Sequence, residues 1–379
     1  MLRKVRSNGA RRLASVAAAS VVVFGLAACG DDGGTSGGDT GGGGGGDTVD
    51  IGVILPDATT SPRWEANDKP SLSAAFDAAG VTYDIQNAQG DTAKFGQLCD
   101  TMIGEGIKVL MIVNLDSDSG SACLKKAADA GVQSIDYDRL TLGGGASYYV
   151  SFDNEKVGEL MGTGLIAALD AEGKTKANIV YVNGAATDNN AALFKSGYEA
   201  ALKDKIGSGD YTLVGDQSGE WDATKAGTVF EQMLTDNKGK IDGAVVANDT
   251  MAGGVIARLK PAGLAGKIPT TGQDASVEGL QNILLGYQAG TVYKNTNLEA
   301  DAASKLAIAL INDDQAAADA LATGSVMDSV TNQEVPSALA IPEWITADTV
   351  AKVIADGFQS AADVCTGKVA KACAKYGVQ

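Results

Sequence analysis

The chain of 379 residues contains no histidine. That absence removes Ser-His-Asp catalysis, imidazole metal sites and the side chain that most readily switches charge near neutral pH. Basic residues are also scarce, 30 Lys and Arg against 47 Asp and Glu. Five of the basic ones (Arg3, Lys4, Arg6, Arg11, Arg12) fall in the first 28 residues, where no acid occurs. Removing that segment leaves 25 against 47, a net charge of −22. Such a chain lacks the basic face that nucleic acid or an anionic lipid surface requires. Other motifs fail by one missing piece. Gly173-Lys174-Thr175 ends like a phosphate-binding loop, but Ala168 stands where its first glycine belongs. Asp116-Ser117-Asp118 lacks the later ligands of a calcium loop and reads as a helix start. No metal site and no cofactor is expected.

The apolar stretch Leu13–Ala28 follows a basic start, is too short to span a bilayer and has no charged stop after it. Residues 1–28 therefore read as a signal peptide. The segment ends Leu26-Ala27-Ala28-Cys29, which resembles the bacterial lipobox, where cleavage precedes the cysteine and that cysteine carries lipid. Ordinary cleavage, with Cys29 incidental, is the alternative. Residues 29–47 are then a lipidated cysteine and a flexible tether of Gly, Asp, Ser and Thr, with nothing to bury. Its glycines match G-x-G-x-x-G formally, but no strand precedes them and no helix follows. The implied location is the outer face of the cytoplasmic membrane, held by lipid alone.

From Val49 onward, continuous apolar strands alternate with amphipathic helices. Strands are expected at 49–55, 82–88, 108–113, 132–137 and 147–152, then at 178–182, 211–216, 243–247 and 268–274. Apolar runs that do not alternate argue for parallel sheets covered on both faces. The expected fold is α/β, with two Rossmann-like lobes. Later pieces, a strand at 289–294, a helix at 297–311, a strand at 337–342 and a helix near 347–355, do not begin a third domain. Four cysteines besides Cys29 are an even count in an exported chain. Of three pairings, Cys99–Cys123 and Cys365–Cys373 are preferred. A strand order 2-1-3-4 with right-handed crossovers sets the helices of Cys99 and Cys123 side by side. Buried free thiols are the alternative, and the tail 361–379 is otherwise uninformative.

Polar groups gather at the carboxyl ends of the expected strands, where open α/β sheets bind ligands. They are Arg63-Trp64, Asp136 to Arg139, Asp188-Asn189-Asn190, Asp216-Gln217, Glu220-Trp221, Asn248-Asp249, Gln273-Asp274 and Tyr293-Lys294. Singly each is weak, since Asp and Asn are common caps; Asp188 alone reads as the cap of the helix that follows. Recurrence on both lobes points to one shared cleft. Carboxylates accept, Arg and Lys donate and Asn does both, which suits the hydroxyls of a neutral polyol. Trp64 and Trp221 could lie flat on a sugar ring, or simply pack at the lobe interface.

At these residues the chain resembles the type I periplasmic sugar-binding proteins of ABC importers. The carriers are Arg63-Trp64, YDR at 137–139, SFDNEKVGEL at 151–160, TDNNAALF at 187–194, VGDQ with a tryptophan at 214–221, ANDTMAGG at 247–254, TGQDA at 271–275 and TVYK at 291–294. The resemblance implies ligand contacts at Arg63, Asp138, Arg139, Asp188, Asn190, Trp221, Asn248, Asp274 and Lys294, with Trp64 as a stacking residue. Asn189 is left to cap or shape its turn. It also implies a three-strand hinge, with crossings near 151–154, 292–295 and 330–342, and a ligand cleft between the lobes. The N-terminal lobe is expected from 48–152 plus 295–330, and the C-terminal lobe from 153–294 plus 331–360.

The function implied is an extracytoplasmic, monomeric receptor that delivers a monosaccharide to the membrane subunits of an ABC permease, without catalysing a reaction. D-xylose is the first choice of ligand, ahead of glucose or arabinose. A sugar receptor for chemotaxis or a sensor kinase would share the same cleft. A glycosidase using Asp138 and Asp188 is disfavoured, because nearby Arg and Lys keep both carboxylates ionised.

Overall fold

The computed structural model describes residues 49–379; the leader, Cys29 and the tether lie outside the described residues. Strand β1 (Ile51–Leu55) is buried at all five positions, as an apolar run covered on both faces must be. It lies between β2 (Tyr83–Asn87) and β3 (Val109–Ile112), followed by β4 (Gln133–Tyr137) and β5 (Tyr148–Phe152), every pairing parallel. Alternate residues serve opposite cores. Ile51, Val53 and Leu55 pack with Leu72, Phe76, Leu306 and Leu310 of the helices Lys69–Ala79 and Thr296–Ile311. Ile54, Leu110 and Ile112 pack with Phe95, Met102 and Leu124 of the helices Thr92–Gly104 and Ser117–Asp129.

Those last two helices share one face of the sheet, and a disulfide joins them from Cys99 to Cys123, with Cα atoms 5.9 Å apart. A second disulfide closes Cys365–Cys373 in the tail. The tail is not a loose end. Val364, Val369, Cys373 and Val378 are buried with Leu280, Leu284 and Phe358, so residues 361–379 fold against the helix Val277–Leu284.

The second lobe is built on β6 (Ala177–Asn183), flanked in parallel by β7 (Tyr211–Ser218) and β8 (Gly243–Val246). The expected strand at 268–274 contributes only two isolated parallel bridges, Ala244 to Thr270 and Gln273 to Val292. The Thr271 side chain supplies the reason. Its hydroxyl accepts from the Val246 N–H at 2.9 Å and donates to the Val246 carbonyl at 3.0 Å. A side chain thus takes the ladder groups that a backbone neighbour would otherwise pair.

The chain changes lobe three times. It leaves β5 at Phe152 and enters the helix Asn154–Ala171, whose Val157 and Met161 lie in the second core. It returns after β9 (Thr291–Tyr293) into Thr296–Ile311. The third crossing corrects the boundary expected at 330/331. Strand β10 (Gly324–Asp328) pairs antiparallel with β11 (Gln333–Ala340), and β11 pairs with β5 from Ser337–Tyr149 to Ala340–Phe152. Both therefore extend the first sheet and cover the edge of β5. The chain changes sheets only after Ala340, into β12 (Glu343–Ile345), which pairs antiparallel with β9. Strand β10 had no apolar run to mark it, since most of its residues face solvent. No helix among the described residues is long and apolar enough to cross a membrane.

Cys99 and Cys123 are 0% and 2% exposed and 24 residues apart. Chain-entropy scaling puts such a link at roughly 3 kcal/mol. The double variant Cys99→Ser/Cys123→Ser is expected to lose about that much in urea unfolding, with the native fold retained. An unchanged midpoint would show that the crosslink does not limit the unfolded chain.

Candidate functional site

Three residues at strand ends hold left-handed backbone that bulky L-residues rarely adopt: Asp138 (φ 64°), Trp221 (φ 61°) and Asp274 (φ 93°). Such conformations cost on the order of 1–3 kcal/mol each and persist only where surroundings enforce them. Around Asp138 the enforcement is visible. Its carbonyl accepts from Tyr149 Oη (3.0 Å), Ser151 Oγ (2.8 Å) and Asn190 Nδ2 (2.9 Å). The turn points the Asp138 carboxylate towards the second lobe. Trp221 lies so close to Gly184 that a Cβ there would sit 2.0 Å from its ring, so Gly184 does more than end β6.

Arg63 follows the loop after β1 and is 3% exposed. Its Nε and Nη2 donate to Asp68 (2.9 and 2.6 Å), Nη2 also to Glu299 (2.6 Å), and Nη1 to Asp138 (2.6 Å). Four of its five N–H groups are thus engaged, and one on Nη1 remains. Tyr137 Oη donates to Asp68 at 2.6 Å and completes the cluster. Burial pushes Glu299 well above the ordinary carboxyl range, with Arg63 only partly opposing it. Burial acts on Asp138 too, but there Arg63, Lys294 and Arg139 outweigh it and hold the carboxyl well below that range. Asp188 moves up, because its burial exceeds the pull of Arg139.

All ten residues expected at the ligand site line one cavity: Arg63, Trp64, Asp138, Arg139, Asp188, Asn190, Trp221, Asn248, Asp274 and Lys294. The lobes are drawn close together around it, and the free space among these side chains is only about 30 Å³. Both lobes contribute, and polar pairs cross between them. Arg139 Nε lies 3.0 Å from Asp188 Oδ2. The Lys294 ammonium, on the hinge, sits 3.5 Å from Asp138 and 3.6 Å from Asp274. Several buried atoms on these residues have no hydrogen-bond partner: Arg139 Nε, Asp274 Oδ1, Gln273 Oε1 and the indole nitrogens of Trp64 and Trp221. Buried polar groups ordinarily find partners, and these atoms lie on residues that line the cavity. The two tryptophans differ. Trp64 carries the Arg63 guanidinium 4.3 Å from its ring centroid, whereas Trp221 meets Phe194 edge-on at 6.2 Å.

Capping and facing the cavity turn out to be compatible. Asp188 Oδ1 caps the helix Asn189–Gly207 by accepting from Asn190 N (2.9 Å), while Oδ2 turns to Arg139. Asn248 Oδ1 caps the helix Asp249–Leu259 through Met251 N (2.8 Å), leaving its amide to face the cleft. Asn189, set aside as the cap, is instead the first residue of its helix. Asn190 gives its amide N–H groups to Asp138 and accepts from Asn154, so it positions as well as lines. Other strand-end groups stay out of the cavity. Asp136 turns to Thr141, Asp216 pairs with Lys195, and Glu220 pairs with Lys225.

The cavity also includes Thr60, Ser61, Phe194 and Gln273. Behind it stand Asp68 and Glu299, both 0% exposed, which sequence reading passed over. A signal existed. Asp68 continues the stripe Trp64, Leu72, Phe76, and Glu299 continues the stripe Ala303, Leu306, Leu310. An acid on the core face of a helix requires a buried partner.

Two α/β lobes, three crossings and a ring of partly unpaired polar groups between the lobes define a sugar receptor of the type I periplasmic kind. A family model described as a periplasmic binding protein domain matches residues 51–315, and the chain belongs to that family as a sugar-binding protein of ABC-type transport. It is 33% identical over 318 residues to the D-xylose-binding periplasmic protein of Escherichia coli, covering 83% of this chain and 92% of that one. It is 30% identical over 332 residues to the multiple sugar-binding periplasmic receptor ChvE of Rhizobium radiobacter, over 83% and 91% of the two chains. A carbohydrate transporter solute binding protein from Chloroflexus aurantiacus, solved in complex with D-glucose, superimposes with a TM-score of 0.76. Its identity is 28%, over 83% of this chain and 98% of that one.

Asp249 supports the site from behind. Its Oδ1 accepts from Gln288 Nε2 (2.8 Å) and its Oδ2 from Ser276 N (2.9 Å), at the start of the helix that follows Asp274. Burial pushes its carboxyl up to about 7. A raised acid means that the folded state holds a proton the unfolded state has released. Its contribution to stability is therefore full below about pH 4 and is lost as pH rises through 7. The Asp249→Asn variant, which keeps shape and cannot ionise, should lose less stability than the parent between pH 5 and 8. The upper limit of the difference is about 3 kcal/mol, because the loss runs over the roughly two units between pH 5 and 7 at 1.36 kcal/mol per pK unit. Parallel stability curves from urea unfolding across that range would refute the assignment.

Proposed function

We propose that this chain is the lipid-anchored, extracytoplasmic receptor of an ABC importer and that it binds one monosaccharide, D-xylose first. The lobes clamp the sugar and present it to the permease, and no reaction is catalysed. The observation that carries this reading is the convergence of ten candidate ligand residues from both lobes on one cavity, with unpaired donors and acceptors among them. Each hydroxyl of a neutral sugar donates one hydrogen bond and accepts others, which suits carboxylates beside Arg, Lys and Asn. A missing or inverted hydroxyl leaves one of these groups buried and unpaired, which is how such a cleft discriminates. The lipid on Cys29 rests on the lipobox resemblance alone. The two-lobe clamp is of the hinge-closing kind.

D-glucose is the second ligand to consider, because the structural neighbour from Chloroflexus aurantiacus was solved with it. Calorimetry with D-xylose, D-glucose, L-arabinose, D-ribose and D-galactose should give D-xylose the lowest Kd, in the micromolar range or below. Heats at background for every sugar would end the receptor reading, and D-glucose in first place would reassign the ligand. Asn248→Ala and Asp274→Ala should each weaken binding roughly 10- to 100-fold, the scale of a hydrogen bond to a charged group. Circular dichroism should report an unchanged fold. Parental affinity in both variants would remove these residues from the site.

A further inference from the structure

The loop between β1 and Arg63 contains five residues outside the ten expected at the ligand site, Asp57-Ala58-Thr59-Thr60-Ser61, of which Thr60 and Ser61 line the cavity. Its tip, Ala58-Thr59, is exposed, yet both ends are buried, Asp57 at 4% and Ser61 at 6%. Asp57 organises it. One carboxylate oxygen accepts from Thr59 N and Thr60 N, each at 2.7 Å, and the other from Thr60 Oγ1 at 2.7 Å. Asn87 Nδ2, at the end of β2, donates to the Asp57 carbonyl at 2.8 Å and ties the loop to the sheet. Such a turn is shaped by its own hydrogen bonds before the lobes meet.

Held this way, the loop reaches across to the second lobe with two groups. Ser61 Oγ donates to Asp274 Oδ2 at 3.1 Å. The Thr60 carbonyl accepts from Asn248 Nδ2 at 3.3 Å. The two residues it meets are the same two that the preceding test removes. Ser61 thereby fixes one oxygen of Asp274 and leaves Oδ1, which lies 3.6 Å from Lys294 and has no hydrogen bond, towards the cavity. Thr60 takes one amide proton of Asn248 and leaves the other. Ser61, Arg63 and Asp274 also line both this cavity and a larger groove beside it.

We propose that Asp57–Ser61 is a preformed latch: Ser61 and Thr60 join the lobes across the cleft mouth, orient Asp274 and Asn248, and set how long the sugar stays. This rests on the receptor reading for its ligand, but the latch itself is a contact between lobes. Ser61 and Asp57 are positioning residues, so the informative quantity is the dissociation rate. Closure contacts form after encounter and act mainly on release.

Stopped-flow tryptophan fluorescence with the tightest sugar of the panel provides the test. Ser61→Ala should raise the dissociation rate constant about 10-fold, the loss of one hydrogen bond to a carboxylate, and leave association within about twofold. Its Tm should stay within about 2 °C of the parent. Asp57→Ala should act in the same direction. The double variant should be no faster than the faster single one, because both act through one contact. A dissociation rate unchanged in Ser61→Ala, or additive effects in the double variant, would overturn the latch. Should no sugar bind the parent protein, the receptor reading fails separately. The latch is then judged by small-angle scattering without sugar, where both single variants should show a larger radius of gyration. Equal radii would overturn it.

Discussion

A guanidinium buried among three carboxylates sets the form of the cleft. Arg63 cannot shed its charge, and a buried charge left unpaired costs several kcal/mol. Its fork therefore has to be filled, and the three acids that fill it come from distant parts of the chain. Asp68 lies on the helix after β1, Asp138 after β4, and Glu299 on the helix that follows the second crossing. Satisfying one side chain thus locks the floor of the first lobe to the hinge. The same contact holds the Asp138 carboxylate facing its partner lobe, and Lys294 then sits between Asp138 and Asp274 as the cation common to both lobes.

Backbone strain and helix capping supply the rest of the precision. Asp138, Trp221 and Asp274 hold left-handed conformations at three strand ends, and the hydrogen bonds around Asp138 explain how such a turn is kept. Asp188 and Asn248 each spend one oxygen on the first turn of a helix and present the remaining polar group to the cavity. A cap is among the most rigidly placed side chains on a protein surface, since its geometry is dictated by the helix it closes. Using caps as cleft residues places hydrogen-bonding groups accurately without further supporting structure. The helix N-terminus behind each also carries partial positive charge, which steadies an adjacent carboxylate.

The parts legible in the sequence are those with a period or a type signature. Continuous apolar runs marked β1 to β9 except at Thr271, where a hydroxyl replaced the ladder, and the strand order led to the Cys99–Cys123 pairing. Strand β10 was invisible because most of its residues face solvent and carry no apolar run. At the cleft, Asp and Asn at strand ends stood out, yet Asp216 and Glu220 looked the same in sequence and went to surface ion pairs. Only the distance to the partner lobe separates the two groups, and that is a tertiary quantity. Asp68 and Glu299 could have been read from their core-facing stripes. Ser61 could not, because a serine in a loop has neither period nor charge to announce its partner 213 residues away.

The charge inventory of the cavity bears on what can enter it. Arg63, Arg139 and Lys294 face Asp138, Asp188 and Asp274, three charges of each sign. Behind them Asp68, held by the same Arg63 and by Tyr137, adds a fourth acid, and burial holds Glu299 towards its neutral form. The pairs are close but incomplete: Lys294 stands beyond ordinary hydrogen-bond distance from both its acids, and Arg139 meets Asp188 without a formed hydrogen bond. An anionic ligand would add to this excess of acid and bring a further buried charge without a cation of its own. A neutral molecule with several hydroxyls adds no charge while offering partners to the unpaired donors and acceptors. Because each such hydroxyl both donates and accepts, it can sit between a carboxylate and a cation and bridge the gap that the protein leaves between them. The spacing of these pairs, more than their number, is what makes a polyol the chemically consistent guest of the proposed site.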